Sequence, residues 1–95
     1  MVGGDGNKLK TDNSTVIGNK NEMIGKNLKV EGNQNLIKAE NSSIQGSNNT
    51  VIGSKTIVVG NNNNNTGSSN EITGEMNTAA GDNNTIKGRA NNVLG

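Results

Sequence analysis

Apolar residues recur along this chain with a period of seven. From Gly4 to Gly95, every seventh residue is Gly except Thr11 and Ala39. Two residues before each of these positions stands an aliphatic residue or Met, except at Asn65. The register holds from end to end without an insertion, which marks an internal repeat. A period of seven suggests a coiled coil, but that reading fails on three counts. A heptad seam needs two apolar positions, and this phrase has one constant position. A Gly in every second helical turn would cost about 1 kcal/mol each relative to Ala. The apolar residues are also mostly β-branched, which favours strands.

Alternate phrases differ, so the true repeat is fourteen. In one set the position two before the aliphatic is always Asn: Asn7, Asn21, Asn35, Asn49, Asn63, Asn77 and Asn91. In the other set it is Ser14, Leu28, Ser42, Thr56, Asn70 and Asn84. The aliphatics of that second set, from Val2 to Ile86, are all β-branched, whereas the first set mixes Leu9, Met23, Ile37, Val51, Asn65, Ala79 and Val93. The pattern therefore predicts an all-β parallel β-roll (β-solenoid) of about seven 14-residue coils. Each coil has two short strands, three residues long, joined by two tight turns. The central aliphatic of each strand points inward and its neighbours outward, by the period of two. Gly supplies the freedom the corner needs. The Asn column is expected to stack as a structural ladder and to bond turn backbone that has no strand partner. Asn13 and Asn33, outside that column, are expected to tolerate Ala. Asn65 interrupts the inward column, and a slack coil or a bound water accounts for it most simply.

Composition narrows the function classes. Only 27% of the 95 residues are apolar, none is aromatic, and 21 are Asn, which taken alone would read as Asn-rich low complexity or disorder. The unbroken register argues against that. The chain is short enough for a single domain, 1–95. A net charge of +1 makes no electrostatic case for nucleic acid or an anionic membrane as a partner. No apolar run is long enough for a membrane helix or a signal peptide, so a secreted protein of this sequence would have had its signal removed. With no His and no Cys, the common general bases and the thiol nucleophile are missing, and the spacing of Ser, Lys, Asp and Glu suggests no active site. An enzyme is not expected, nor a cofactor. "GGDGN" at residues 3–7 is similar to calcium-binding β-roll repeats but occurs once, with no Asp ladder after it, so no metal site is expected.

The phrases "NNTVIG" (48–53), "NNTIKG" (83–88) and "NNVLG" (91–95) resemble the Asn-x-Val-x-Gly repeats of the grass ice-recrystallisation-inhibition (antifreeze) proteins. The resemblance covers essentially the whole chain. It implies a left-handed roll with a Val/Ile interior, an internal Asn ladder, and an ice crystal surface as the partner. It also implies a monomer that restrains ice recrystallisation in the plant extracellular space (the apoplast). That family favours Thr, Ser and Val at its outer ice-binding positions, whereas many outer positions here carry Lys or Glu. The alternative is a surface adhesin or structural β-solenoid resembling the heads of bacterial trimeric autotransporter adhesins. Those heads share fourteen-residue coils and Gly corners, but their inward positions are rich in Ala.

The outward residues locate a candidate working face. Face one, the set with the Asn column, carries charge at Lys8, Lys10, Glu22 and Lys38 and nowhere beyond. Its second half is a charge-free strip of Thr50, Ile52, Asn64, Thr66, Thr78, Ala80, Asn92 and Leu94, expected to be the ice-binding residues. Face two scatters Lys29, Glu31, Glu71 and Lys87 over its length. Ice recognition needs a flat, regular surface that orders water without presenting strongly hydrated charges. Five Asn-x-Ser/Thr sequons, at Asn13, Asn41, Asn48, Asn64 and Asn83, follow from a repeat rich in those residues.

Overall fold

The computed structural model describes residues 2–95, with the Val2 side chain, expected to point inward, outside the described part. It is a β-roll of two seven-stranded parallel sheets with no helix among the described residues. One sheet is face two: Val2–Gly3 (β1), Thr15–Ile17 (β3), Lys29–Glu31 (β5), Ser43–Gln45 (β7), Ile57–Asn61 (β9), Glu71–Glu75 (β11) and Thr85–Arg89 (β13). The other is face one: Lys8–Asp12 (β2), Glu22–Lys26 (β4), Leu36–Glu40 (β6), Thr50–Ser54 (β8), Asn64–Thr66 (β10), Thr78–Ala80 (β12) and Asn92–Leu94 (β14). Each strand pairs with the one fourteen residues on, as in Val16↔Val30 and Val51↔Asn65. Stacking at about 4.7–4.9 Å per coil gives a slab measuring 33 × 20 × 12 Å.

Strand length departs from the expected three residues. Seven strands run to five, because pairing continues through the corner Gly position into the next residue. At four corners a side chain takes that next residue's N–H instead. Asp5 N–H donates to Asn19 Oδ1 at 2.9 Å, Asn19 N–H to Asn33 Oδ1 at 3.0 Å, Ser47 N–H to Asn61 Oδ1 at 3.0 Å, and Ser68 N–H to Asp82 Oδ1 at 2.8 Å. A short side chain with an oxygen two bonds from Cβ can replace the ladder bond there. Sequence periodicity carries no trace of this choice.

The core is a double column of inward side chains. Val16, Val30, Ile44, Val58, Ile72 and Ile86 descend one sheet, and Met23, Ile37, Val51 and Ala79 the other, all buried. Leu28 and Ala39 add to it from corners, and Leu9 and Val93 cover the ends. The Asn column stands beside this core. Asn21, Asn35, Asn49, Asn63 and Asn77 are buried, and Asn7 and Asn91 half-buried at the two ends. Each Oδ1 accepts the backbone N–H of the Asn fourteen residues on, at 3.0 Å from Asn7 to Asn91. Each Nδ2 from Asn7 to Asn77 donates to the carbonyl of the next coil's corner Gly, at 2.8–3.0 Å. The carboxamide thus bonds both orphan groups of a corner that has turned away from the sheet, which buried backbone requires.

Asn65 is neither slack nor left unpaired. Its side chain is wholly buried and bonded at both ends. Nδ2 donates to Thr56 Oγ1 at 3.3 Å and to the Gly67 carbonyl at 3.4 Å, and Oδ1 accepts from Asn70 Nδ2 at 2.7 Å. Here the second corner column changes chemistry. Up to Thr56 its bonds are hydroxyl bonds, such as Thr56 N–H to Ser42 Oγ at 3.2 Å. From Asn70 it becomes a second amide ladder, with Asn84 N–H on Asn70 Oδ1 at 2.9 Å. In the first ladder the spare Nδ2 hydrogen of Asn35 lies on the Oδ1 of the preceding Asn21, at 3.0 Å. Asn70 follows Thr56, which has no such oxygen, and Asn65 supplies it. A polar residue in the inward column is therefore the splice between two ladders.

The Asn column yields a stability prediction. Asn35→Ala removes the bonds to Gly46 O, Asn49 N and Asn21 Oδ1 in a buried corner, and should cost about 2–4 kcal/mol. Asn13 and Asn33 are not the neutral controls expected from sequence. Asn13 has φ 55°, where a side chain other than Asn or Asp is disfavoured, and Asn33 Oδ1 holds the Asn19 N–H. The exposed Asn64 is the better control, and its change to Ala should fall within about ±0.5 kcal/mol. Urea melts that gave equal losses at Asn35 and Asn64 would refute the ladder's role.

Candidate functional site

The eight residues of the charge-free strip fall together on four neighbouring strands. β8, β10, β12 and β14 pair in sequence and align Thr50, Asn64, Thr78 and Asn92 in one outer column. The second column holds Ile52, Thr66, Ala80 and Leu94. Within a strand the two columns stand two residues apart, about 7 Å, and rows repeat at about 4.8 Å. Thr50, Thr78 and Ala80 are half-buried and the other five exposed, with Ile52 at 43% and Leu94 at 79%. The array is a small regular grid of methyl, hydroxyl and amide groups.

The two sheets make unequal outer surfaces. The first half of face one carries Lys8, Lys10, Glu22 and Lys38, all exposed. Face two has its most apolar point at Ile57 and Val59 on β9, exposed at 46% and 37%. That point is followed at once by Glu71 in register with Ile57. Lys29 and Glu31, on β5 two strands before β9 in the same sheet, form an ion pair at 3.9 Å, largely in solvent, where such pairs contribute little to stability.

The corners hold a feature that periodicity did not reveal. The second residue after every corner position has left-handed backbone, with φ between 54° and 70° at Gly6 and the twelve that follow it. Six of these thirteen are Asn: Asn13, Asn27, Asn41, Asn48, Asn62 and Asn83. Asn is the residue other than Gly that best tolerates this region. A signal was present in the sequence as this enrichment, but the Gly column, two residues earlier, masked it. Four of the five sequons lie at these turns, and the fifth, Asn64, stands on the strip itself. A glycan at Asn64 would cover the grid.

The family model of the grass antifreeze beta roll matches residues 1–95. The chain belongs to this family. Membership in the grass antifreeze family brings ice binding, at the level of the family, to this two-sheet roll of fourteen-residue coils with its buried Asn ladder. No curated protein sequence matches the chain. Within this antifreeze roll, the charge-free grid lies on the sheet that follows the first Asn ladder in each coil.

Proposed function

We propose that this protein adsorbs to ice through Thr50, Ile52, Asn64, Thr66, Thr78, Ala80, Asn92 and Leu94 and thereby inhibits ice recrystallisation. The observation that carries the reading is the in-register, charge-free grid on four parallel strands of a grass antifreeze roll. An ionised side chain holds its own hydration shell strongly, and seating it against a lattice of water would strip or distort that shell. Methyl and hydroxyl groups at a regular spacing impose no such cost, and the near-constant coil rise falls close to repeat distances in the ice lattice. Once adsorbed, the protein stops the crystal front beneath it. The front must then bulge between adsorbed molecules, and this curvature opposes the transfer of water from small crystals to large ones. The protein acts as a monomer in the extracellular space of plant tissue.

Thr66→Lys and Thr78→Lys test this. Both place a charge in the middle of the grid while leaving the inward columns alone, so stability should change by no more than about ±0.5 kcal/mol. Recrystallisation inhibition at equal concentration of folded protein should fall several-fold in each. Ser43→Lys and Thr73→Lys, on face two, should retain the parent's activity. The opposite result, with face-two variants inactive and both Thr variants active, would move the ice-contact surface to face two.

A further inference from the structure

The left-handed corner residues differ between the two edges of the slab. Those that lead into face two are Asn13, Asn27, Asn41, Lys55, Ser69 and Asn83, all polar. Those that lead into face one end with Met76 and Ala90. These are the two apolar side chains among the thirteen positions, and both stand directly before the strip. Met76 precedes Thr78 of β12 by two residues and Ala90 precedes Asn92 of β14 by two, with the ladder residues Asn77 and Asn91 between. Met76 is 64% exposed and Ala90 is also exposed, so neither is held in place by packing. Left-handed backbone disfavours side chains other than Asn and Asp, and burial gives Met76 nothing to offset that. Lys20, Gln34, Lys55 and Ser69 hold the same backbone conformation, so what singles out Met76 and Ala90 is an apolar side chain left in solvent beside the strip. Asn48 and Asn62, also exposed, occupy the same position in the two coils before. The left-handed position on this border is therefore uncharged in all four coils, and the charges of the same corners, Glu75 and Arg89 one residue earlier, are paired with each other at 3.5 Å.

Resting on the ice-adsorption reading above, we propose that Met76 and Ala90 form the lateral margin of the ice-contact surface, a third column beside the Thr50 and Ile52 columns. Its ligand is the same water lattice, met by apolar groups that extend the grid around the edge. The third column widens the contact without adding a strand.

The experiment compares Met76→Lys, Ala90→Lys, Met76→Leu, Ser69→Lys and Thr78→Lys for recrystallisation inhibition, at concentrations of folded protein matched by thermal melts. Ser69 has the same backbone conformation, φ 59°, on the edge leading into face two. Several-fold loss is expected in both Lys variants at the margin, a smaller loss in Met76→Leu, which keeps an apolar side chain there, and parent activity in Ser69→Lys. If Thr78→Lys loses activity while Met76→Lys and Ala90→Lys keep it, the margin is overturned and the two-column strip stands. If Thr78→Lys is also fully active, both readings fall together. An equal loss in Ser69→Lys overturns the margin as well, because added charge would then act regardless of position.

Discussion

Gly46→Ala is expected to unfold much of this protein under conditions in which the parent is stable. Gly46 has φ 131°, and a Cβ built on it would lie 1.7 Å from the Gly60 carbonyl oxygen and 2.6 Å from its carbon. The obstacle is backbone of the next coil, itself bonded by Asn49 Nδ2, so it cannot swing aside as a side chain could. Relief would require separating two coils whose spacing is set by every strand bond between them. A loss of about 4 kcal/mol or more follows, set against a total stability of roughly 5–14 kcal/mol for a chain this long. Ala39 supplies the contrast. It occupies the corner position on the other edge without a positive φ, and its methyl group is buried in the core. Ala39→Gly should therefore cost only about 1 kcal/mol, from lost packing and added chain entropy. Urea unfolding of the two variants decides the matter. Similar small shifts would mean that the corners are far more yielding than a 1.7 Å approach allows.

Val58→Asp should be comparably damaging for a different reason. Val58 is wholly buried, paired in register with Ile44 on one side and Ile72 on the other. A carboxylate there would meet aliphatic neighbours above and below and lose its water, at a cost of several kcal/mol even if it takes up a proton. Asn65 does not weaken this expectation, because its amide has three partners in place and Val58 sits among aliphatic side chains. The check is a thermal melt followed by far-UV circular dichroism. An unchanged midpoint would be incompatible with an inward column at Val58.

The inward column, the two-strand coil and the Asn ladder could all be read from the chain because each repeats. A period of fourteen places like residues above one another, so a weak local preference becomes legible when it recurs seven times. The side-chain period of two then decides which residues face in, and Val16, Val30 and Ile44 are buried as that rule requires. Family membership was legible for the same reason, since the repeat phrase spans the whole chain. The strip of eight residues was legible as a charge pattern, and the register of β8, β10, β12 and β14 turns that pattern into a surface.

What only the tertiary structure decided lies where the repeat is broken or where a bond crosses between coils. Asn65 looked like a fault, because a single sequence position cannot show that Thr56 and Asn70 lie against it and need a donor and an acceptor. Strand length varied because the outer bonds of Asn19, Asn33, Asn61 and Asp82 depend on which side chain stands in the adjacent coil. The left-handed turn at Met76 and Ala90 was hidden because backbone dihedrals follow from how a corner closes, and many residue types can be forced into that geometry once the coils on either side are stacked. Periodicity sufficed for what each residue does alone in its column. Contacts between unlike residues of neighbouring coils settled the rest, since hydrogen bonds depend on the partner as well as on the residue itself.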